Sequence, residues 1–309
     1  ISKKMFFREP SKKQIKELAK AKSESQNKSF SSLQKKMHSL NSQLNEIKSS
    51  LINKKALNWE DKSSLENFLK DQKKLQNDLE ELKNKLAKEL NNDQNDRSED
   101  ILKKQEQISK MMDELMSDEM KKLLDELFEL AQEMNKEKVL DKLDNIDFSQ
   151  DNMIKELDRT IEHFKKMEME KMAKDISKEL KDLAIKQDEL SERTLNKDFS
   201  EFKKNQEQEQ LKDEFNDIQN DLFDLKKKNQ ELSNPKDLNT DEKEMEINKS
   251  MEKSIEELSD NKLKKAKEQQ DQSSKSLKDL AESMDKLGSN GSEQAEEDLE
   301  SLRILLEHL

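Results

Sequence analysis

From Phe30 onward the apolar side chains step by three and four: Phe30, Leu33, Met37, Leu40, Leu44, Ile47 and Leu51. An α-helix turns every ~3.6 residues, so this spacing gathers them into one narrow stripe, the a and d positions of a heptad. The step returns at Leu65, Phe68, Gln72, Leu75, Leu79, Leu82 and Leu86. A chain built this way must lay helix against helix. Disorder is the competing reading of a chain that is 30% hydrophobic and 42% charged, but an unfolded chain has no reason to keep such a repeat. Two Gly and two Pro cannot furnish the turns of a hairpin-rich β fold. The expected fold is all-α: elongated antiparallel coiled-coil hairpins, or a bundle of long helices, with a short extended tail at the N-terminus.

That tail is residues 1–10, where Pro10 pushes Glu9 toward extended geometry. The main helical region is expected over 11–232. Within it Asn58 is expected to cap the second helix, with Asp61 completing a capping box. The short gap before it favours an antiparallel hairpin, whose end Trp59, the only Trp, would plug. The stretch 91–100 has no apolar residue, so either the helix continues as a solvated rod or it restarts near Ser98. Ile101, Ile108, Met112 and Leu115 resume the stripe. A short helix then follows Asn135, and Ser149 can cap a long one over 150–195. That helix carries Ile154, Leu157, Ile161 and Phe164, shifts register through Met167, Met169 and Met172, and regains the heptad at Ile176, Leu180, Leu183, Gln187 and Leu190.

Asp198 is the expected cap of the next helix, which bears Phe199, Phe202, Leu211, Phe215, Ile218, Leu222, Leu225 and Leu232. Pro235 marks 233–241 as a linker, because proline cannot sit in a helix interior. Thr240 restarts a C-terminal helical segment over 242–309. Its seam runs through Met251, Ile255, Leu258, Leu263, Ala266, Gln270, Ser273, Leu277, Leu280, Met284 and Leu287. Gly288 reads as a C′ residue opening a loop at 288–292. An apolar end follows at Leu299, Leu302, Leu306 and Leu309.

The stretch 111–134 departs from this thin pattern. Twelve of its 24 residues are apolar, enough for a helix packed on several sides rather than one. Ser117, followed by Asp118 and Glu119, marks a helix end and a new start inside it. Its apolar residues form the candidate packing and partner hub: Met111, Met112, Leu115, Met116, Met120, Leu123, Leu124, Leu127, Phe128, Leu130 and Met134. Seven of the fourteen Met cluster at 111–120 and 167–172, and these read first as gap-filling core and second as a groove for a hydrophobic peptide.

Chemistry is thinly represented. No Cys means no disulfide, thiol catalysis or thiolate metal site. His38, His163 and His308 are too far apart for a helical ligand pair, and His163 reads as a surface residue. Neither Glu-x-x-His nor a phosphate-cradling Gly loop occurs. The reading is therefore no enzyme, no cofactor and no metal. Net charge is −12, yet residues 1–55 carry 13 Lys and one Arg against four Glu, leaving −22 for the remainder. A basic first helix lying along acidic helices of the same molecule accounts for this. Nucleic acid is not an expected partner, because Arg is scarce and aromatics are not interleaved with the basic residues.

Three stretches resemble a set of large membrane-anchored proteins of unknown function from Bacteroidetes: LNWEDKSSLENFLKDQKKLQNDLEEL (57–82), ILKKQEQISKMMDEL (101–115) and DNMIKELDRTIEHFKKMEMEKMAKDISKEL (151–180). In that family, membrane segments and an immunoglobulin-like β region precede a long helical part, and ISKKMFFREPS looks like the last strand of that region. The resemblance implies a piece of a longer envelope protein, on the periplasmic side of the inner membrane and anchored only through segments outside this chain. It carries no catalytic motif. The expected role is a scaffold or spacer for protein partners in an envelope complex, compatible with a homo-oligomer. A holdase-like, client-binding module using the Met-rich clefts is the alternative.

Overall fold

The structure is a computed structural model, and it describes residues 12–92, 99–115, 118–196 and 198–289. Among the described residues there is no strand, and the eight helices are α1 (Lys12–Ile52), α2 (Trp59–Asn92), α3 (Glu99–Glu114), α4 (Asp118–Gln132), α5 (Lys136–Thr194), α6 (Glu201–Gln230), α7 (Asp241–Ser259) and α8 (Leu263–Ser289). The fold is an all-α helical bundle. The expected N-terminal tail, the restart near Ser98, the Ser117 cap and the apolar end at 299–309 lie outside the described residues.

The chain divides into two compact units, Ile1–Phe164 and Lys165–Leu309. The boundary thus falls inside α5, whereas the sequence puts a linker at 233–241. That segment instead joins α6 to α7 within unit 2. Its Pro235 turn is held there by buried Asn229, whose amide accepts from the Lys236 N–H (2.9 Å) and donates to the Lys236 carbonyl (2.7 Å). A proline ends a helix, but a side chain that mimics a strand partner keeps the loop inside one bundle.

In unit 1 the predicted stripes of α1 and α2 form the core, save Leu86, which is half-buried. Every one of Phe30, Leu33, Met37, Leu40, Leu44, Ile47 and Leu51 is buried, facing Leu65, Phe68, Leu75, Leu79 and Leu82 of α2. The register between α1 and α5 is set by a ladder. Gln34 donates to Asp158 (2.7 Å), Asn41 to Asp151 (3.2 Å), and Lys48 pairs with Asp144 (2.8 Å). Each heptad forward on α1 meets a heptad backward on α5, so the two helices are antiparallel. Lys36–Asp78 ties α1 to α2, Lys83–Asp113 ties α2 to α3, and Lys142–Glu126 ties α4 to α5. The basic first helix therefore does lie on acidic neighbours of its own molecule.

The capping box is present: the Asn58 N–H donates to Asp61 Oδ2 (3.0 Å) and the Asp61 N–H to Asn58 Oδ1 (2.8 Å). Trp59, however, plugs nothing. As the first residue of α2 its side chain points outward, 79% exposed, with Lys62 Nζ 5.2 Å from the ring centre. The bundle end is closed by Lys136 instead, whose ammonium donates to the Ile52 carbonyl, left open at the C-terminus of α1, and to the Lys54 carbonyl just past it.

Ser149 is also corrected. It caps nothing, because α5 runs unbroken from Lys136, with Val139, Leu143, Ile146, Gln150, Met153 and Leu157 continuing one stripe past it. A cap residue without a break in the stripe does not start a helix. Rotation of that stripe leaves Ile154 and Ile161 only half-buried, and buries Met153 and Thr160 in their place. His163 is half-buried rather than on the surface.

Among the described residues unit 2 is four helical segments, 165–194 of α5 with α6, α7 and α8. Lys228–Glu168 and Lys186–Glu214 set α6 antiparallel to α5; Lys226–Asp241 and Lys212–Glu252 set α7 antiparallel to α6. Lys243 on α7 reaches Ser283 of α8, and Lys278–Asp188 returns α8 to α5. Three boundaries differ from those expected. Ser200, not Asp198, caps α6, its hydroxyl accepting from the Lys203 N–H (3.4 Å). The seam expected to run on past Leu258 is cut at 260–262, where Asn261 takes φ 55° and the Lys262 N–H returns to the Glu257 carbonyl (2.8 Å). Asn tolerates this left-handed position better than most residues, which makes it a turn signal without Gly or Pro.

Gly288 is the third. It lies within α8, buried, and a Cβ there would meet Lys174 Cγ at 2.7 Å and the Glu170 carbonyl at 3.3 Å. Close approach of α8 to α5, not a loop, accounts for the glycine. The remaining loop residues, 290–292, lie outside the described part.

Candidate functional site

The hub expected over 111–134 takes in the end of α3 and the whole of α4. From α3 and its last turn, Met112 and Leu115 are buried; from α4, Met120, Leu124, Leu127 and Ala131 form the inward stripe. Met111, Leu123, Leu130 and Met134 are half-buried, Phe128 is 49% exposed, and Met116 lies outside the described residues. The structure thus brings five of the eleven into the unit 1 core. The extra apolar content sits at the flanks of the stripe, where α4 meets α2 and α5. Met134 ends α4 at φ 58°, with the Asn135 N–H returning to the Leu130 carbonyl. Asn135 then caps α5 through its own side chain, accepting from the Lys138 N–H (3.2 Å). One residue closes one helix and opens the next.

Four Met of the two clusters are core. Met112, Met120 and Met169 are fully buried, Met167 nearly so, and Met172 packs against the unit 2 core. Met111 is half-buried.

A second constellation, in unit 2, is polar. Gln187 and Gln208 exchange reciprocal amide hydrogen bonds at 3.0 and 2.9 Å. Ser254 and Gln270 also donate to Gln208 Oε1, at 3.0 and 3.1 Å, and the Thr194 hydroxyl donates to Gln270 Oε1 at 2.7 Å. All five side chains have no exposed surface, and they come from all four helical segments. Gln187 and Gln270 were legible as polar residues on an apolar stripe; Gln208, the centre of the network, was not, because α6 between Phe202 and Leu211 carries no other apolar marker.

Around these cores, acids and bases answer each other across helices. Burial pulls the Lys48 ammonium down, but hydrogen bonds to Asp144 and Asp147 outweigh it and hold the group above the ordinary lysine value. Lys226 is raised the same way: burial lowers it and the carboxylates of Asp241 and Glu244 prevail. Burial pushes Asp188 and Asp285 up, but hydrogen bonds, chiefly from Lys278 and Lys181, bring both below the usual carboxylate range. A raised lysine stabilises the fold fully below its unfolded value of ~10.4, and that stabilisation disappears as pH climbs through the raised value. Lys48→Glu, which sets three carboxylates together, is expected to lower unfolding free energy by about 1–2 kcal/mol at low salt and by less at 1 M salt. Urea titrations at the two ionic strengths check this, and equal losses would remove the electrostatic account.

Among the described residues no group of three or more His, Asp or Glu is placed to hold a metal ion, and no helix is long and apolar enough to cross a membrane. The depression bounded by Asn77, Glu80, Glu81, Asn84, Lys85 and Lys88 lies along α2 alone. No protein-family model matches the chain, and no curated protein or solved structure shows significant similarity to it.

Proposed function

We propose that this chain is a non-enzymatic helical scaffold or spacer that holds or spaces protein partners. The observation that supports it most is the α1–α5 ladder, Gln34–Asp158, Asn41–Asp151 and Lys48–Asp144, which repeats at the heptad interval. Such a repeat fixes register along a length of helix and serves the coiled-coil reading. Asp78, Asp113, Asp285 and Asp188 each pair with a lysine on a neighbouring helix, spread along the bundles and not gathered about one cleft. Placement at the periplasmic face of a bacterial envelope, with protein partners there, rests on the resemblance of 57–82, 101–115 and 151–180 alone.

Small-angle scattering tests the spacer reading. A globule of 309 residues has a radius of gyration of about 19–20 Å, and a spacer is expected to exceed it clearly. A value at the globular figure would refute it. The client-binding alternative requires the buried Met112, Met120 and Met169 to become accessible. An aggregation-suppression assay separates the two: a spacer leaves an unfolding client unprotected, while a holdase protects it at parity or below.

A further inference from the structure

Unit 2 contains one stretch of sequence twice. Residues 177–190 read SKELKDLAIKQDEL and residues 274–287 read SKSLKDLAESMDKL, identical at nine of fourteen positions. The first lies on α5, the second on α8, and the fold packs them against each other antiparallel. Their contacts come as equivalent pairs. The Ser177 hydroxyl donates to the Ala281 carbonyl (2.9 Å), and its counterpart Ser274 donates to the carbonyl of Ala184 (3.2 Å), the counterpart of Ala281. Lys181 pairs with Asp285, and its counterpart Lys278 pairs with Asp188 (2.6 Å). Each contact has a twin in which the two helices exchange parts, as across a two-fold axis. The shared leucines beneath are buried in both copies. A contact between identical chains requires this property: one surface on both sides, complementary to itself.

The turn that folds α8 back onto its own chain is residues 260–262, and it holds Asn261 at φ 55°. A left-handed backbone is costly for an L residue, and a short strained hinge of this kind favours exchange of the element beyond it. Straightening the turn joins α7 and α8 into one helix and removes the strain. We propose that the repeat is a homotypic pairing element by which two copies of this chain join, α8 of each lying on α5 of the other, with 260–262 as the hinge. Every α5–α8 contact is kept in the exchanged dimer, and both hinges are relieved. The inference goes beyond the scaffold reading and does not depend on it.

The chain has no Cys, so single cysteines report the exchange in the full chain. Lys181→Cys is made in one sample and Asp285→Cys in another, both at half-exposed positions. The two are unfolded in urea, mixed, refolded together and oxidised. A disulfide-linked species of twice the 36.4 kDa chain mass is expected from the mixture and not from either variant alone. Only exchange sets position 181 of one chain against position 285 of another. A mixture that yields no more linked dimer than the single variants would overturn the proposal. Sedimentation after refolding reads the same equilibrium without cysteines. Asn261→Ala, which makes the left-handed turn costlier, is expected to raise the dimer association constant by about fivefold or more, and Asn261→Gly to lower it. An unsubstituted chain that stays monomeric at every concentration, or a dimer fraction that neither substitution moves, would overturn it as well.

Discussion

Phe164→Ala is expected to lower the unfolding free energy by about 3–5 kcal/mol, the range for emptying a buried aromatic site. Phe164 is 1% exposed, as is Phe30 of α1, and the two rings stand 4.9 Å apart at 44°, a tilted pair. Alanine removes the apolar surface, opens a cavity between α1 and α5, and leaves the Phe30 ring without its partner. Phe30→Ala should cost a similar amount. The double variant should lose less than the sum by about 0.5–1.5 kcal/mol, the coupling of an aromatic pair beyond its burial. Denaturant titrations of the four proteins of this cycle provide the measurement. Phe202→Ala is the control: that ring is 77% exposed, and its loss should stay within about 0.5 kcal/mol. A Phe164→Ala variant as stable as the control would mean that α1 and α5 do not pack as described.

The contrast between those two phenylalanines shows what the sequence made legible. Phe30 and Phe164 belong to runs of three-four steps long enough to define a buried stripe, and both are buried. The sequence groups Phe202 with Phe199 and Leu211, but it falls one position off the inward row Lys204, Gln208, Leu211 and Phe215 that the fold uses. Where a stripe is interrupted, polarity alone cannot say which residue continues it. Turn placement failed for a related reason. Ser149 and Asp198 have the chemistry of helix caps, but the chain turns where a left-handed residue can return its neighbour's N–H to the previous helix, at Met134 and Asn261. Met carries no turn signature, and Asn only a weak one. Likewise Gly288 looked like a helix end, because a lone glycine reads the same whether it turns the chain or admits a neighbouring helix.

Gln208→Leu is the substitution whose effect runs most strongly against its hydrophobicity. Leucine is apolar, close in volume, and enters a fully buried position on a stripe with Leu211, Phe215 and Ile218. Burial alone predicts a gain. Yet Gln208 accepts from Gln187, Ser254 and Gln270 and donates back to Gln187, so its removal strands three side chains that have no access to water. A buried polar group left without a partner costs about 1–3 kcal/mol, so a net loss of about 3–5 kcal/mol is expected after local relaxation. Thermal denaturation followed at the helical signal measures it. Converting the whole layer, Gln187→Leu, Gln208→Leu and Gln270→Leu with Thr194→Val and Ser254→Ala, is expected to recover that loss, because no group is then stranded. What the apolar layer would give up is register. Four leucine-rich segments can slide by a heptad at little cost, whereas the amide network closes in one alignment only. Methyl resonances of Leu and Ile in unit 2 should therefore broaden or multiply in the fully apolar variant while its melting temperature holds. Sharp single resonances there, at unchanged stability, would show that packing alone specifies the alignment of α5 to α8.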